Sequence, residues 1–391
     1  MYFTHPQIQL NIKNITSALF WFCLKPNTKK IQKKLTCYFP NKKIIFTDMG
    51  RTSFQIIIEK MNLKNTTMLI PAYVCDVFFP ILKKYNISPI FIDANIKTFN
   101  LDIKKLEEKI RENTRAQNPK KLKSILVSHI YGLPNNMKEI SRIAQKHNLK
   151  IIEDCAHCFG ARQNNKYLGN FGDASFFSLY KSFPCFRGGM LVCPKNWNIN
   201  NLKKTNFTAR DFISFLNCFP IFAYLFKKII GSIAPSIVKK NIRKEKSSDL
   251  RGINNVSLNI FSHFLNNYEK TLKNRVAMAL FFQQKLKKLN LTNFCVIQEK
   301  KDNVFCFISV LIFKNRDKFS EKLKKDNVFS TRIWHSPIVC NMEVEKKYNL
   351  NKNDFPNTKI ISQKIINLPF QNFYTKKDIE KIISILQRHI S

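Results

Sequence analysis

Acidic side chains are scarce in this sequence: 26 Asp and Glu stand against 66 Lys and Arg, leaving a formal charge of +40 over 391 residues. Such an excess attracts anions. The densest basic stretch, Lys227 to Lys246, nevertheless lacks the regular aromatic interleaving that stacks nucleic-acid bases. The surplus therefore reads as a solvated surface, and no nucleic-acid partner is expected. Glycine is also scarce, at 9 residues, beside 15 prolines and no fixed short repeat, which removes collagen-like, low-complexity and solenoid architectures. The stretch Phe212 to Phe226 is uncharged over fifteen residues but is interrupted by Asn217 and Pro220. It falls short of the ~20 apolar residues of a membrane span. The basic run behind it permits a peripheral membrane contact through residues 212–246, against the alternative of a subunit interface or a buried helix.

The N-terminus shows no combination of basic region, apolar core and small-residue cleavage site. With eleven cysteines in a chain of this length, the expected compartment is the reducing cytoplasm. One C-x-x-C is present, Cys155 to Cys158, without a second pair. A structural zinc site needs four well-placed ligands, so no metal is expected.

What is present is a globular composition, 44% hydrophobic and 24% charged, large enough for a full core and a smaller second domain. Ile44 to Phe46 reads as a short strand, and Phe54, Ile57, Ile58 and Met61 recur at helical spacing. Thr66 to Pro71 then reads as a buried strand stopped by proline. The alternation continues with helix 77–84, strand 89–93, helix 103–111, strand 124–129, helix 137–147 and strand 150–154. This pattern predicts an α/β fold with a mostly parallel sheet between helices, whose ligands gather at the carboxyl ends of the strands.

Residues 1–43 form an apolar and basic lead-in without a legible unit. The large domain is expected over 44–248, with a hydrophobic and basic insert at about 205–246. A linking helix over about 260–289 and a smaller α+β domain then fill 249–391. That small domain is expected to hold a strand at 305–313, a helix at 316–325, an extended segment at 328–334 and a closing helix at 376–388.

The chemistry concentrates at Glu153-Asp154-Cys155-Ala156-His157, at a strand end, and at Lys181, directly after the apolar run Ala174 to Tyr180. A lysine in such a run is expected to be buried, and a buried lysine needs a reason. A carboxylate, an imidazole and an isolated lysine suit pyridoxal phosphate. That cofactor takes a lysine at its aldehyde and an anion against its ring nitrogen.

These segments, with Gly50-Arg51-Thr52-Ser53, Ile70-Pro71-Ala72-Tyr73, Pro89 to Asp93, His129-Ile130-Tyr131-Gly132, Gly169, Gly172-Asp173, Gly188-Gly189 and Leu368-Pro369-Phe370, resemble the DegT family of pyridoxal-phosphate-dependent sugar aminotransferases, within fold type I. The resemblance runs from about Phe46 to the C-terminus. It implies that Lys181 binds the cofactor's aldehyde and shuttles the proton, that Asp154 pairs with the pyridine nitrogen, and that His157 stands beside the phenolic oxygen. It further implies that Arg51 and Thr52 grip the phosphate, with Ser53 the substitute in a shifted register, and that Ser178 reaches the same phosphate. Tyr73 is implied as the ring stacked on the pyridine, with Cys75 competing for that position, and Arg332 as the partner of the amino donor's carboxylate.

What the resemblance implies overall is a cytoplasmic homodimer with pyridoxal 5'-phosphate as cofactor, moving an amino group from an amino acid, with glutamate the expected donor, to a nucleotide-linked keto sugar. That step serves amino-sugar or cell-surface polysaccharide synthesis. The stretch from Ser178 to Lys181 is shorter than the family's, Arg187 stands where the family has Glu, and the asparagine segment lent by a partner subunit has no clear copy. Two alternatives follow: a sugar dehydratase of the same fold, against which Lys181 argues because that branch commonly has histidine there, and a family member that binds a membrane surface without turnover.

Overall fold

The computed structural model describes residues 10, 15–116, 121–219, 222, 225, 250–289, 294–296, 304, 307–331 and 335–390. Its strands are β1 (Lys42–Thr47), β2 (Thr67–Pro71), β3 (Ser88–Ile92), β4 (Leu122–Ser128), β5 (Lys150–Asp154), a small hairpin of β6 (Arg162–Gln163) and β7 (Lys166–Tyr167), β8 (Ala174–Ser178), β9 (Gly189–Pro194), β10 (Lys203–Lys204), β11 (Arg251–Gly252), β12 (Phe294–Val296), β13 (Ile308–Ile312) and β14 (Ile365–Leu368).

Nine of them form one sheet in the order β10-β11-β1-β9-β8-β5-β4-β2-β3. The run β3-β2-β4-β5-β8 is parallel throughout. β9 is antiparallel to both β8 and β1. Successive residues of a strand point to opposite faces, and here both faces are apolar. Leu69, Ile125, Val127, Ile151 and Phe177 enter one core, while Ile70, Leu126, Ile152 and Phe176 enter the other. This is the α/β fold that the alternation predicts, with β5 at Lys150–Asp154 and the helix Arg316–Lys325 at their expected bounds.

In the register of β5 with β8, Asp154 lies opposite Phe176, so the two strands end side by side. The single helical turn Leu179–Ser182 follows β8 at once. The sheet thereby brings Asp154 and Lys181 to the same carboxyl edge. The three-stranded antiparallel sheet β12-β13-β14 packs with the helices Tyr268–Lys287, Arg316–Lys325 and Lys376–Ile390 around a separate core that includes Phe282, Val310, Leu323, Ile366 and Ile382.

Two departures from the sequence reading have physical causes. The lead-in contains helices Ile15–Cys23 and Thr28–Leu35, and Trp21, Ile31, Leu35, Tyr38 and Phe39 join the main core. The second of these helices is started by Asn27, whose side chain accepts the Lys30 N–H. The single helix expected over 260–289 is two, Asn255–Leu265 and Tyr268–Lys287, because Asn267 leaves the helical region at φ −117°. Of the extended segment expected over 328–334, Val328 and Thr331 are bridge residues, Thr331 pairing with Asn367, and 332–334 lie outside the described residues.

Candidate active site

β5 ends in two buried acids that the strand's alternation turns to opposite sides. Glu153 accepts N–H groups from Gly169, Phe171 and Gly172 at 2.9, 2.7 and 2.6 Å, and meets His129 Nε2 at 3.3 Å. Its oxygens are thus spent on shaping the loop before β8. Asp154 accepts the Ala156 N–H at Oδ1 (3.0 Å) and the Ser128 hydroxyl at Oδ2 (2.9 Å). Burial pushes its carboxyl above the usual range, and the charge of Lys181 is the largest opposing influence.

Cys155 and Cys158 lie behind this edge, with ligand atoms within 4.8 Å of those of His129. Both imidazole nitrogens of His129 are engaged, Nδ1 by the Asn135 N–H at 3.1 Å and Nε2 by Glu153. Burial raises both thiols above their ordinary value. Both side chains are part of the main hydrophobic core.

His157 is buried beneath Lys181, whose Nζ lies 2.9 Å from His157 Nε2. On its other side the imidazole accepts the Tyr131 N–H at Nδ1, 3.3 Å, and stacks on the Tyr131 ring at 5.8 Å between centroids and 23° between planes. Tyr73, expected to stack on a ligand ring, is instead fully buried behind this pair. Its hydroxyl lies 2.7 Å from that of Tyr131, and its ring meets the edges of Phe99 and Tyr131. The competing Cys75 is half-buried at the same loop, 3.9 Å from Asp76 Oδ1.

The helix Gly50–Lys60 starts at this edge, and its preceding residue, Met49, supplies no side-chain cap. Helix starts expose N–H groups and favour an anion. A Cβ at Gly50 would stand 2.8 Å from Ser178 Oγ, so the Ser178 hydroxyl lies against the first turn. Thr52 gives its N–H to the Met49 carbonyl and its hydroxyl to Asp48 Oδ1 at 2.5 Å, and the Ser53 hydroxyl pairs with Thr47 at 2.8 Å. The hydroxyls of Thr52 and Ser53 are thus both engaged within the chain, while the Ser178 hydroxyl stands against the helix start.

Arg187, at the position where a glutamate was expected, pairs with Asp211 at 2.9 Å with both side chains largely buried. Asp211 also accepts the N–H and hydroxyl of Thr208, closing the start of the helix Ala209–Leu216. Gly189 runs against the Met49 backbone so closely that any Cβ would overlap it, and Gly188 holds φ at +139°, so each position of the pair calls for glycine. Arg332 lies outside the described residues. Tyr131 and Ser128 are the site residues to which sequence reading attached no role; Tyr131 stood within a quoted motif, but nothing in one sequence reveals its backbone conformation.

The structure brings Asp154, His157, Lys181, Ser178 and the start of the helix Gly50–Lys60 to one edge of the sheet. A dTDP-4-amino-4,6-dideoxy-D-glucose transaminase from Shigella dysenteriae is 25% identical over 369 residues, 93% of this chain and 90% of its own. A dTDP-3-amino-3,6-dideoxy-alpha-D-galactopyranose transaminase from Aneurinibacillus thermoaerophilus is 24% identical over 374 residues, 94% of this chain and 92% of its own. The crystal structure of a DegT DnrJ EryC1 StrS aminotransferase from Brucella abortus superposes with a TM-score of 0.75 at 18% identity, covering 98% of this chain and 99% of that one. The model of one family matches residues 6–209 and 236–387, which take in every element of this edge, and the chain belongs to that family, the DegT/DnrJ/EryC1/StrS aminotransferases.

Proposed function

We propose that this chain is a pyridoxal-phosphate-dependent aminotransferase that carries an amino group from an amino acid, with glutamate the expected donor, to a keto sugar linked to a nucleotide. The observation that carries the reading is the Lys181 amine, 2.9 Å from His157 Nε2 and electrostatically coupled to the buried Asp154. The transaminase relatives named above act on dTDP-linked sugars by their names, which supports the substrate class.

The residues fit the cofactor. A carboxylate that burial holds above its ordinary range gains from a cation, and a protonated ring nitrogen is one. The helix start at Gly50 and Arg51, with the Ser178 hydroxyl against it, suits the phosphate. Bound pyridoxal phosphate supplies an aldehyde that captures amines and a protonated ring that draws electrons from the adjoining carbon. Lys181 would hold that aldehyde, and its amine, when free, would move the proton for the amino donor and again, in the opposite sense, for the sugar. His157, 2.9 Å from that amine, would stand on the side of the phenolic oxygen, and Asp154 would pair with the ring nitrogen.

We place the enzyme in the cytoplasm as a homodimer. Among the described residues no helix is long and apolar enough to cross a membrane. Phe20, Phe22, Leu24, Phe207, Phe212 and Ile213 are exposed, and Phe22 meets Phe207 and Phe215 at 5.1 and 5.3 Å, so two segments distant in sequence share one apolar face. A second subunit covering that face accounts for it. Of the 212–246 segment expected at a membrane surface, only 212–219, 222 and 225 lie within the described residues.

The test is the visible absorbance of the purified protein with pyridoxal phosphate, before and after glutamate. The protein is expected to be yellow and to lose the colour with glutamate, whereas Lys181→Ala neither forms that band nor turns over, a loss of at least about 10³-fold. A colourless complex in the unaltered protein defeats the reading. Offering dTDP-, GDP- and UDP-linked keto sugars with glutamate, and weighing the products, then names the acceptor; loss of a sugar hydroxyl in place of amine gain identifies a dehydratase.

A further inference from the structure

Tyr131 is fully buried and holds φ at +55°, in the left-handed region that a bulky side chain occupies only when its surroundings demand it. What the strained turn achieves is the arrival of one residue at His157 twice, by its N–H at Nδ1 (3.3 Å) and by its ring, stacked on the imidazole. Phe307 closes the edges of both rings, at 5.4 Å from Tyr131 and 5.3 Å from His157. The Tyr73 hydroxyl pins the far end of the Tyr131 ring at 2.7 Å.

Counting hydrogens decides the rest. A neutral imidazole has one donor and one acceptor nitrogen. Nδ1 accepts from Tyr131, so the hydrogen sits on Nε2, the nitrogen that faces Lys181 Nζ at 2.9 Å. An ammonium brings donors only; the contact is a hydrogen bond when Nζ is an uncharged amine offering its lone pair. We infer that Tyr131 is a positioning residue, which sets His157 in its Nε2–H tautomer and through it favours the uncharged, nucleophilic form of Lys181. Asp154 pulls the other way, favouring the ammonium, until its carboxylate faces a cationic ring. The tautomer concerns the chain alone; its consequence for Lys181 rests on the proposed function.

The experiment is long-range ¹H–¹⁵N correlation on histidine-labelled full-length protein near neutral pH, with His157 identified among the seven histidines by comparison with His157→Gln. A bare Nδ1 and a protonated Nε2 are expected. An Nδ1–H tautomer or a doubly protonated ring overturns the assignment. Tyr131→Gly keeps the amide and accepts the positive φ, Tyr131→Phe keeps amide and ring, and Tyr131→Ala is strained there. The first two are expected to keep the tautomer and the third to lose it; three identical spectra overturn the role of Tyr131. Acetylation of Lys181 by a small activated ester, followed by peptide mass spectrometry, is expected to slow about tenfold in Tyr131→Ala relative to Tyr131→Phe, the change that one unit in the amine's protonation equilibrium gives. Equal rates overturn the link to Lys181. Absence of the coloured cofactor complex with the expected tautomer present counts against the proposed activity and not against this assignment.

Discussion

Thr358 gives both its N–H and its hydroxyl to Oδ1 of Asp93, at 2.9 and 2.7 Å, across 265 residues of chain. The Asn357 N–H takes the other oxygen at 3.1 Å, and the Ala94 N–H adds a fourth bond at 2.8 Å. One buried carboxylate at the end of β3 thereby starts the helix Pro356–Lys364 and ties it to the parallel sheet. Asp93→Ala leaves several donors unpaired at once and is expected to lower unfolding stability by about 3 kcal/mol, with Thr358→Val costing about 1 kcal/mol. Urea denaturation measures both, and an Asp93→Ala loss no larger than that of Thr358→Val shows the tie to be slack.

The raised carboxyl of Asp154 has a pH signature in the cofactor-free protein. An acid whose folded value lies above its unfolded one contributes stability that is present below the unfolded value, about 3.9, and is lost as pH rises through the folded value. Asp154→Asn carries a constant cost, since its amide cannot accept from both Ala156 and Ser128. Its stability relative to the unaltered protein should therefore climb from about pH 4 upward and then level. Thermal unfolding across pH 4–8 reads this directly, and a flat difference shows Asp154 not to be held above its ordinary range. Saturating pyridoxal phosphate should erase the climb.

Gly50→Ala tests the phosphate grip. Alanine in a helix is ordinarily favoured over glycine by about 1 kcal/mol. Here its Cβ would stand 2.8 Å from Ser178 Oγ and 3.3 Å from the Phe177 carbonyl, so the hydroxyl must turn away. Pyridoxal phosphate is expected to bind about tenfold more weakly, the size of one lost hydrogen bond to a charged group, while stability changes little. Unaltered affinity in an absorbance titration removes Ser178 from the grip.

Arg187→Ala strands Asp211, a nearly buried carboxylate, without its cation. Breaking a buried pair from one side costs about 3 kcal/mol. The double change Arg187→Met with Asp211→Asn is expected to recover most of that loss in denaturation experiments. A double variant no better than the single one would assign the role of Asp211 to its hold on Thr208 rather than to Arg187.

Much of this architecture was legible before any coordinates. Apolar alternation located β5 to the residue, and the family resemblance picked out Asp154, His157, Lys181 and Ser178, which the fold brings to one edge. The N-terminal helices were not legible, because the helix Thr28–Leu35 buries only Ile31 and Leu35 among its lysines. Such a sparse stripe resembles a solvated basic segment. The break at Asn266 and Asn267 was hidden for the opposite reason, since apolar residues continue on both sides of it. Tyr73 misled because an aromatic after a strand-ending proline looks alike whether it faces a ligand or, as here, two other aromatic rings.

By itself the sequence determined the first five strands and set Asp154 at the carboxyl end of one of them, because side-chain periodicity and residue type are local properties. Tertiary structure alone decided which nitrogen of His157 faces Lys181, why Tyr131 accepts a strained turn, and where Asp93 spends its oxygens. Those are hydrogen-bond partnerships between residues distant along the chain, and a buried polar atom takes whichever partner the packing brings within about 3 Å.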